Sequence, residues 1–242
     1  MSLDAIQQKK QVIESRSRIR EFVFGIQDGL ISTVGLLAGI QGATENRIVV
    51  IVTGLTAMFS GAISMATGSY LSSGAQKDIF DKEIADAEKL AEREPYLAAE
   101  GVLKALGEEG LSKEQSYRMV KALLAERNVF LRTFQEKVFG LGSAEINQPF
   151  KAALVMGFSF IVGAIVPILP YMAIAGAMAL YLSVFLSALT LFVVGAFKGH
   201  LAGQSLMISG GKFFFIAVTA AGLGYLIGLV VQWFFPGISI PA

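Results

Sequence analysis

The sequence predicts an all-α membrane protein: five transmembrane helices with a cytoplasmic three-helix insert between the second and third. Three observations predict it. The chain of 242 residues is 54% hydrophobic and only 16% charged, against roughly 45–50% apolar and about 25% charged in soluble domains. The apolar residues gather in blocks of at least about 20, the length a helix needs to cross a bilayer. Most of the charge sits in one internal block, 75–148, of quite different character. The domains expected are 1–74, an N-terminal amphipathic segment with helices one and two; 75–148, an acidic helical domain of metal-binding type; and 149–242, helices three to five.

The elements follow in order. The N-terminal stretch is polar, carries Lys9, Lys10, Arg16, Arg18 and Arg20, and has no signal-peptide pattern. Spans are expected at roughly 22–41, 48–73, 150–170, 172–196 and 213–235. The insert opens with a helix continuing out of the second span to about Arg93. Pro95 opens the next helix, which Gly107 to Gly110 end. Ser112-Lys-Glu-Gln115 reads as a capping box, starting a helix that runs through Tyr117, Val120, Leu123 and Leu124 toward Phe134. Gly25/Gly29, Ala57/Gly61, Ser60/Ser64/Gly68 and Gly224/Gly228 recur every four residues. Small residues at this spacing let helices pack closely in lipid, within a bundle or in a dimer.

Charge orients the chain. Lysines and arginines precede the first span, and Lys198 and Lys212 flank the loop between spans four and five. On the other side one loop carries Arg47, while Pro167-Ile-Leu-Pro170-Tyr171 and the C-terminal tail carry no charge. The positive-inside rule then puts the N-terminus and insert in the cytoplasm and the C-terminus outside it.

Several chemistries are excluded. There is no cysteine, hence no disulfide, thiolate site or thiol nucleophile. His200 is the only histidine, in a short loop beside Lys198, and reads as an interfacial polar residue. No Gly-rich phosphate loop is present, and no catalytic constellation points to an enzyme. A net charge of +1 suggests no nucleic-acid partner.

What remains is Asp28, the one acid within any apolar span. A charge in hydrocarbon costs at least ~2.5–3.5 kcal/mol, so an intramembrane acid marks a functional site by default. In the second span Met58 and Met65, seven apart, share a helix face. Such methionines are ordinary apolar filler when alone. Beside a carboxylate, a thioether makes a mixed hard–soft donor pair, suited to Fe²⁺, Mn²⁺, Co²⁺ or Zn²⁺ rather than Mg²⁺ or Ca²⁺. Gln27, Ser32, Ser64 and Thr67 add neutral oxygens. In the insert, Asp81, Glu88 and Glu92 share a face, flanked by Glu83, Asp86 and Glu94. They would hold divalent cations, or form a solvated face laced with ion pairs such as Lys82/Asp86.

Four stretches together resemble the vacuolar iron transporter family. They are Gly25-Ile-Gln-Asp28-Gly29-Leu30; Gly61-Ala-Ile-Ser-Met65 with Gly68-Ser-Tyr70-Leu71-Ser72; the acidic insert; and Val166-Pro167-Ile-Leu-Pro170-Tyr171. The resemblance implies a five-helix homodimer with a pathway at the dimer interface, exporting Fe²⁺ from the cytosol in exchange for protons. It places Asp28 and Met65 at the family's intramembrane metal positions. It makes Glu83, Glu88, Glu92, Glu100 and Glu136 the counterparts of the insert residues that gather metal. One departure stands out: the family commonly carries a glutamate where this chain has Ala57. The paired methionines expected near the end of the insert also have no match around Phe134-Gln135-Glu136.

The function expected is export of a divalent transition metal, Fe²⁺ or Mn²⁺ (Zn²⁺ and Co²⁺ share the donor preference), by proton antiport through a homodimer in a lipid membrane, with no bound cofactor. The alternative is a membrane-anchored metal-binding or sensory protein without transport, in which Asp28 would bond a helix terminus near Gly29.

Overall fold

In the computed structural model, which describes residues 3–44, 46–140 and 148–235 (side chains from residue 19 on), every regular element is a helix. The helices are α1 (Leu3–Ala43), α2 (Arg47–Arg93), α3 (Pro95–Glu108), α4 (Lys113–Leu123), α5 (Arg127–Val138), α6 (Pro149–Ala173), α7 (Ala177–Leu201) and α8 (Leu206–Phe234). Five of them contain segments long and apolar enough to cross a membrane: 19–43 of α1, then α2, α6, α7 and α8. The chain divides into two units. One comprises residues 1–70 and 149–242, the other residues 71–148.

In the first unit α1 packs against α6, α7 and α8, burying Leu30, Val34, Leu37 and Ala38. Two glycine contacts set these distances. A Cβ on Gly29 would collide with the Phe160 carbonyl oxygen and stand 3.0 Å from the Ala164 amide nitrogen, both backbone atoms of α6. On the other side of α1, Gly224 and Gly228 of α8 lie against the carbonyls of Gly35 and Gly39. Backbones this close gain dispersion contact that lipid tails cannot supply. The Ser60/Ser64/Gly68 stripe behaves differently. Both serines are exposed and nothing lies within 4 Å of a Cβ on Gly68.

Asn46 caps α2, its side-chain oxygen accepting from the amides of Ile48 (3.0 Å) and Val49 (3.3 Å). The far end of α6 departs from expectation. Pro167 and Pro170 lie within the helix, which runs on to Ala173, so the connection to α7 shrinks to residues 174–176. Each proline removes an amide donor. Side chains anchor the segment instead: Ser183 Oγ donates to the Pro167 carbonyl (2.8 Å), and Arg47 donates to the terminal carbonyls of Tyr171 (2.7 Å) and Met172. A cation on the last carbonyls also complements the helix dipole. A second correction concerns α7 and α8. His200 is in the last turn of α7 rather than a loop, and α8 starts at Leu206, which puts Lys212 inside it. Gly203, at φ +66°, closes α7: Gln204 N donates to the Gly199 carbonyl and Gly203 N to that of His200, the paired bonds of a Schellman cap.

The second unit holds the last turns of α2 with α3, α4 and α5. Ala87, Ala91, Ala98, Val102, Leu106, Val120, Phe130, Leu131 and Phe134 form its core. Pro95 occupies the first turn of α3, and the capping box of α4 is complete: Gln115 N donates to Ser112 Oγ and Ser112 N to Gln115 Oε1. The helix expected from Ser112 to Phe134 is two helices. α4 stops at Leu123, tight turns carry Ala125 N to the Ala122 carbonyl and Glu126 N to that of Leu123, and α5 begins at Arg127. The break redirects α5 so that Phe130 and Phe134 bury against α3. The insert therefore has three helices of its own plus the end of α2.

Candidate metal site

Glu21, Gly25, Asp28 and Ser32 fall at i, i+4, i+7 and i+11 of α1, one continuous face. Gly25 and Gly29 press this part of α1 onto the α6 backbone near Met156 and Phe160. Asp28, between these two glycines in sequence, is half-buried. α1 itself offers no terminus at Gly29, because it runs unbroken to Ala43. Ser32 Oγ is bonded to the Asp28 backbone carbonyl, not to its carboxylate. Among the described residues no cation pairs with the Asp28 carboxylate and no side chain donates to it. A half-buried acid without a partner is in want of a cation or a proton.

Met65 of α2 is half-buried and packs against the cluster that includes Ala62 and Phe160. Met58, on the same face, lies inside that cluster at 4% exposure, so it is core filler. Phe160 links the two candidates. Its carbonyl touches α1 at Gly29, next to Asp28, and its ring touches α2 at Gly61, one turn from Met65. Phe160 thus contacts a neighbour of each candidate, Gly29 beside Asp28 and Gly61 one turn from Met65. Gln27 is half-buried, while Ser32, Ser64 and Thr67 are exposed. Ala57 is half-buried one turn from Gly61.

Glu21, a second acid on the face of Asp28, is not among the metal residues expected from the sequence. It is only 7% exposed, with Arg20 Nη2 3.8 Å from its carboxylate. The available signal was its seven-residue spacing from Asp28. Its place at the edge of the apolar stretch made it look like a flanking charge.

In the insert Glu83, Glu88, Glu92, Glu100 and Glu136 are all exposed. Among the described residues no three acids or histidines gather closely enough to hold a metal ion. Glu88 and Glu136 do share one depression, of about 450 Å³, with Arg132. Glu92 instead pairs with Arg127, and Asp81 with Lys77 at 3.8 Å. Further bridges join Asp86 to Lys89 (3.3 Å), Glu114 to Arg118 (2.9 Å) and Glu109 to Lys137 (2.7 Å). The Glu109 hydrogen bond raises the pKa of Lys137. Of the expected face, Asp81 and Glu92 are thus engaged by cations and Glu88 is left open.

The profile of the VIT family matches residues 19–229 of the chain. The vacuolar iron transporter 1 of Arabidopsis thaliana is 28% identical over 215 residues, 88% of this chain and 86% of that protein. The vacuolar iron transporter 2 of Oryza sativa subsp. japonica is 27% identical over the same length. The vacuolar iron transporter of Plasmodium falciparum is 26% identical over 227 residues, 90% of this chain and 83% of its own.

Proposed function

Because the chain belongs to the VIT family, we propose that it carries a divalent transition metal, Fe²⁺ or Mn²⁺, out of the cytoplasm across the membrane it spans. Asp28 binds the cation and takes up a proton when the cation leaves. Met65 supplies the soft donor that favours a transition metal over Mg²⁺ or Ca²⁺. The observation that carries this reading is the half-buried Asp28 carboxylate, without a partner among the described residues, beside the Gly29 contact with Phe160, whose ring reaches α2 one turn from Met65. Relatives named vacuolar iron transporters support iron as the cargo.

Two donors fall short of the four or more a divalent ion takes. Water, the neutral oxygens of Gln27, Ser32, Ser64 and Thr67, and a second copy of the chain make up the shell. A homodimer with the Asp28 stripe and the exposed small-residue face of α2 at its interface doubles the donor set. The insert acts as a cytoplasmic collector, in which Glu88 with Glu136 is the first station; Glu83, Glu92 and Glu100 give single-carboxylate contacts.

The test is metal flux into sealed liposomes containing the purified full-length protein. Asp28→Asn keeps the shape and removes the charge. Flux of Fe²⁺ and Mn²⁺ should fall at least tenfold, the equivalent of ~1.4 kcal/mol of lost stabilisation. Wild-type protein that binds metal but moves none would instead identify a non-transporting metal-binding protein.

A further inference from the structure

A groove of about 380 Å³ opens at one end of the bundle, where α1 enters its apolar segment and α7 ends. Its walls are Ile19, Arg20, Val23 and Phe24 with Gln27 of α1, and Lys198, Leu201 and Ala202 at the end of α7. The volume falls in the range of small-ligand sites. No acid lines it. Two cations stand over an apolar floor, at the ends of two candidate spans, 19–43 of α1 and α7.

Both cations are available. The Arg20 side chain is 85% exposed, and its one ionic neighbour among the described residues, Glu21, stands 3.8 Å away, beyond hydrogen-bond distance. Lys198 Nζ lies 5.3 Å from the centre of the Phe213 ring, a cation–π contact that orients the ammonium without neutralising it. Gln27 adds a neutral amide. The Schellman cap at Gly203 and the seating of Gly199 against Ser209 of α8 hold the end of α7 in place.

We propose that this groove binds an anionic phospholipid. The headgroup phosphate sits between Arg20 and Lys198, and an acyl chain runs along Val23, Phe24 and Leu201. The occupant follows from charge complementarity and position: two cations among the described lining residues ask for a phosphate, and an apolar floor at the ends of two candidate spans asks for the chain attached to it. Basic pockets between transmembrane helices recognise lipid headgroups by this combination. Gln27 also borders the proposed metal shell, but lipid binding is read without transport and does not rest on that reading.

Native mass spectrometry of the full-length protein in neutral detergent, titrated with phosphatidylglycerol or phosphatidylcholine, tests it. Phosphatidylglycerol should bind at least tenfold more tightly. Arg20→Gln and Lys198→Gln should each weaken it about fivefold, and the double variant roughly 25-fold, from the ~1 kcal/mol that each basic residue contributes near an anionic surface. Lys198→Arg should restore binding. Ala202→Phe, which fills the groove and keeps both charges, should also lose the lipid. Arg20→Gln alters an exposed side chain, so it stays informative even if Lys198→Gln fails to fold. Charge variants that bind like wild type, or equal retention of the two lipids, would overturn the proposal. Displacement by chain-free glycerophosphoglycerol or inorganic phosphate at equal concentration would overturn it too, leaving a simple anion site.

Discussion

Replacing Gly29 by alanine isolates the contact that holds the candidate site. The new Cβ would collide with the Phe160 carbonyl oxygen and stand 3.0 Å from the Ala164 nitrogen. Both are helix backbone, so neither can rotate away, and α1 and α6 must separate. Overpacking of this kind costs about 1–3 kcal/mol. Exchanging a helical glycine for alanine returns about 0.5–1 kcal/mol. The net expectation is a loss of up to about 2.5 kcal/mol, centred on about 1 kcal/mol, or up to roughly 10 °C in Tm at 2–4 °C per kcal/mol. Gly222→Ala is the matched control. Gly222 also lies inside a helix, but nothing stands within 4 Å of its added Cβ, so only the favourable term applies and Tm should hold or rise. The assay is thermal unfolding of both variants and wild type in one detergent at one protein concentration. Gly29→Ala melting at or above Gly222→Ala would refute the inference that backbone contact with α6 requires Gly29.

Three further outcomes are expected. Arg47→Gln removes a cation from two terminal carbonyls of α6; hydrogen bonds to charged groups contribute about 1.5–3 kcal/mol each, so Tm should fall by several degrees, with partial recovery in Arg47→Lys. Ala57→Glu adds a second acid eight residues from Met65, and metal uptake into liposomes should then depend more steeply on an imposed pH difference; a wild type already as steep would mean protons travel elsewhere, with buried Glu21 the first place to look. A reporter active only in the cytoplasm should be silent when fused after Ala242, and activity there would reverse the proposed orientation.

Much of this protein was legible in the sequence alone. Hydropathy over contiguous windows determined the five spans, because a chain that must satisfy its backbone inside lipid has little choice but helix. Local chemistry determined the entry of α3 at Pro95, the capping box at Ser112 and the stop at Gly110, since caps involve groups only a few residues apart. The isolation of Asp28 in an apolar span needed no coordinates either. The tertiary structure decided what depends on distant partners. Spacing made Gly29 and Gly68 equivalent, yet Gly29 touches α6 and Gly68 meets nothing, a difference set by which helix lies opposite. Met58 and Met65 share a face, and only packing buries one and leaves the other half open. Pro167 and Pro170 look like a loop, but Ser183 and Arg47, distant in sequence, anchor them in helix. Leu124-Ala-Glu-Arg127 consists of good helix formers, and the break there follows from the burial of Phe130 and Phe134 against α3. Glu92 looks like a free acid until Arg127, 35 residues on, claims it. In each case the sequence offers a set of equivalent candidates, and long-range contact selects among them.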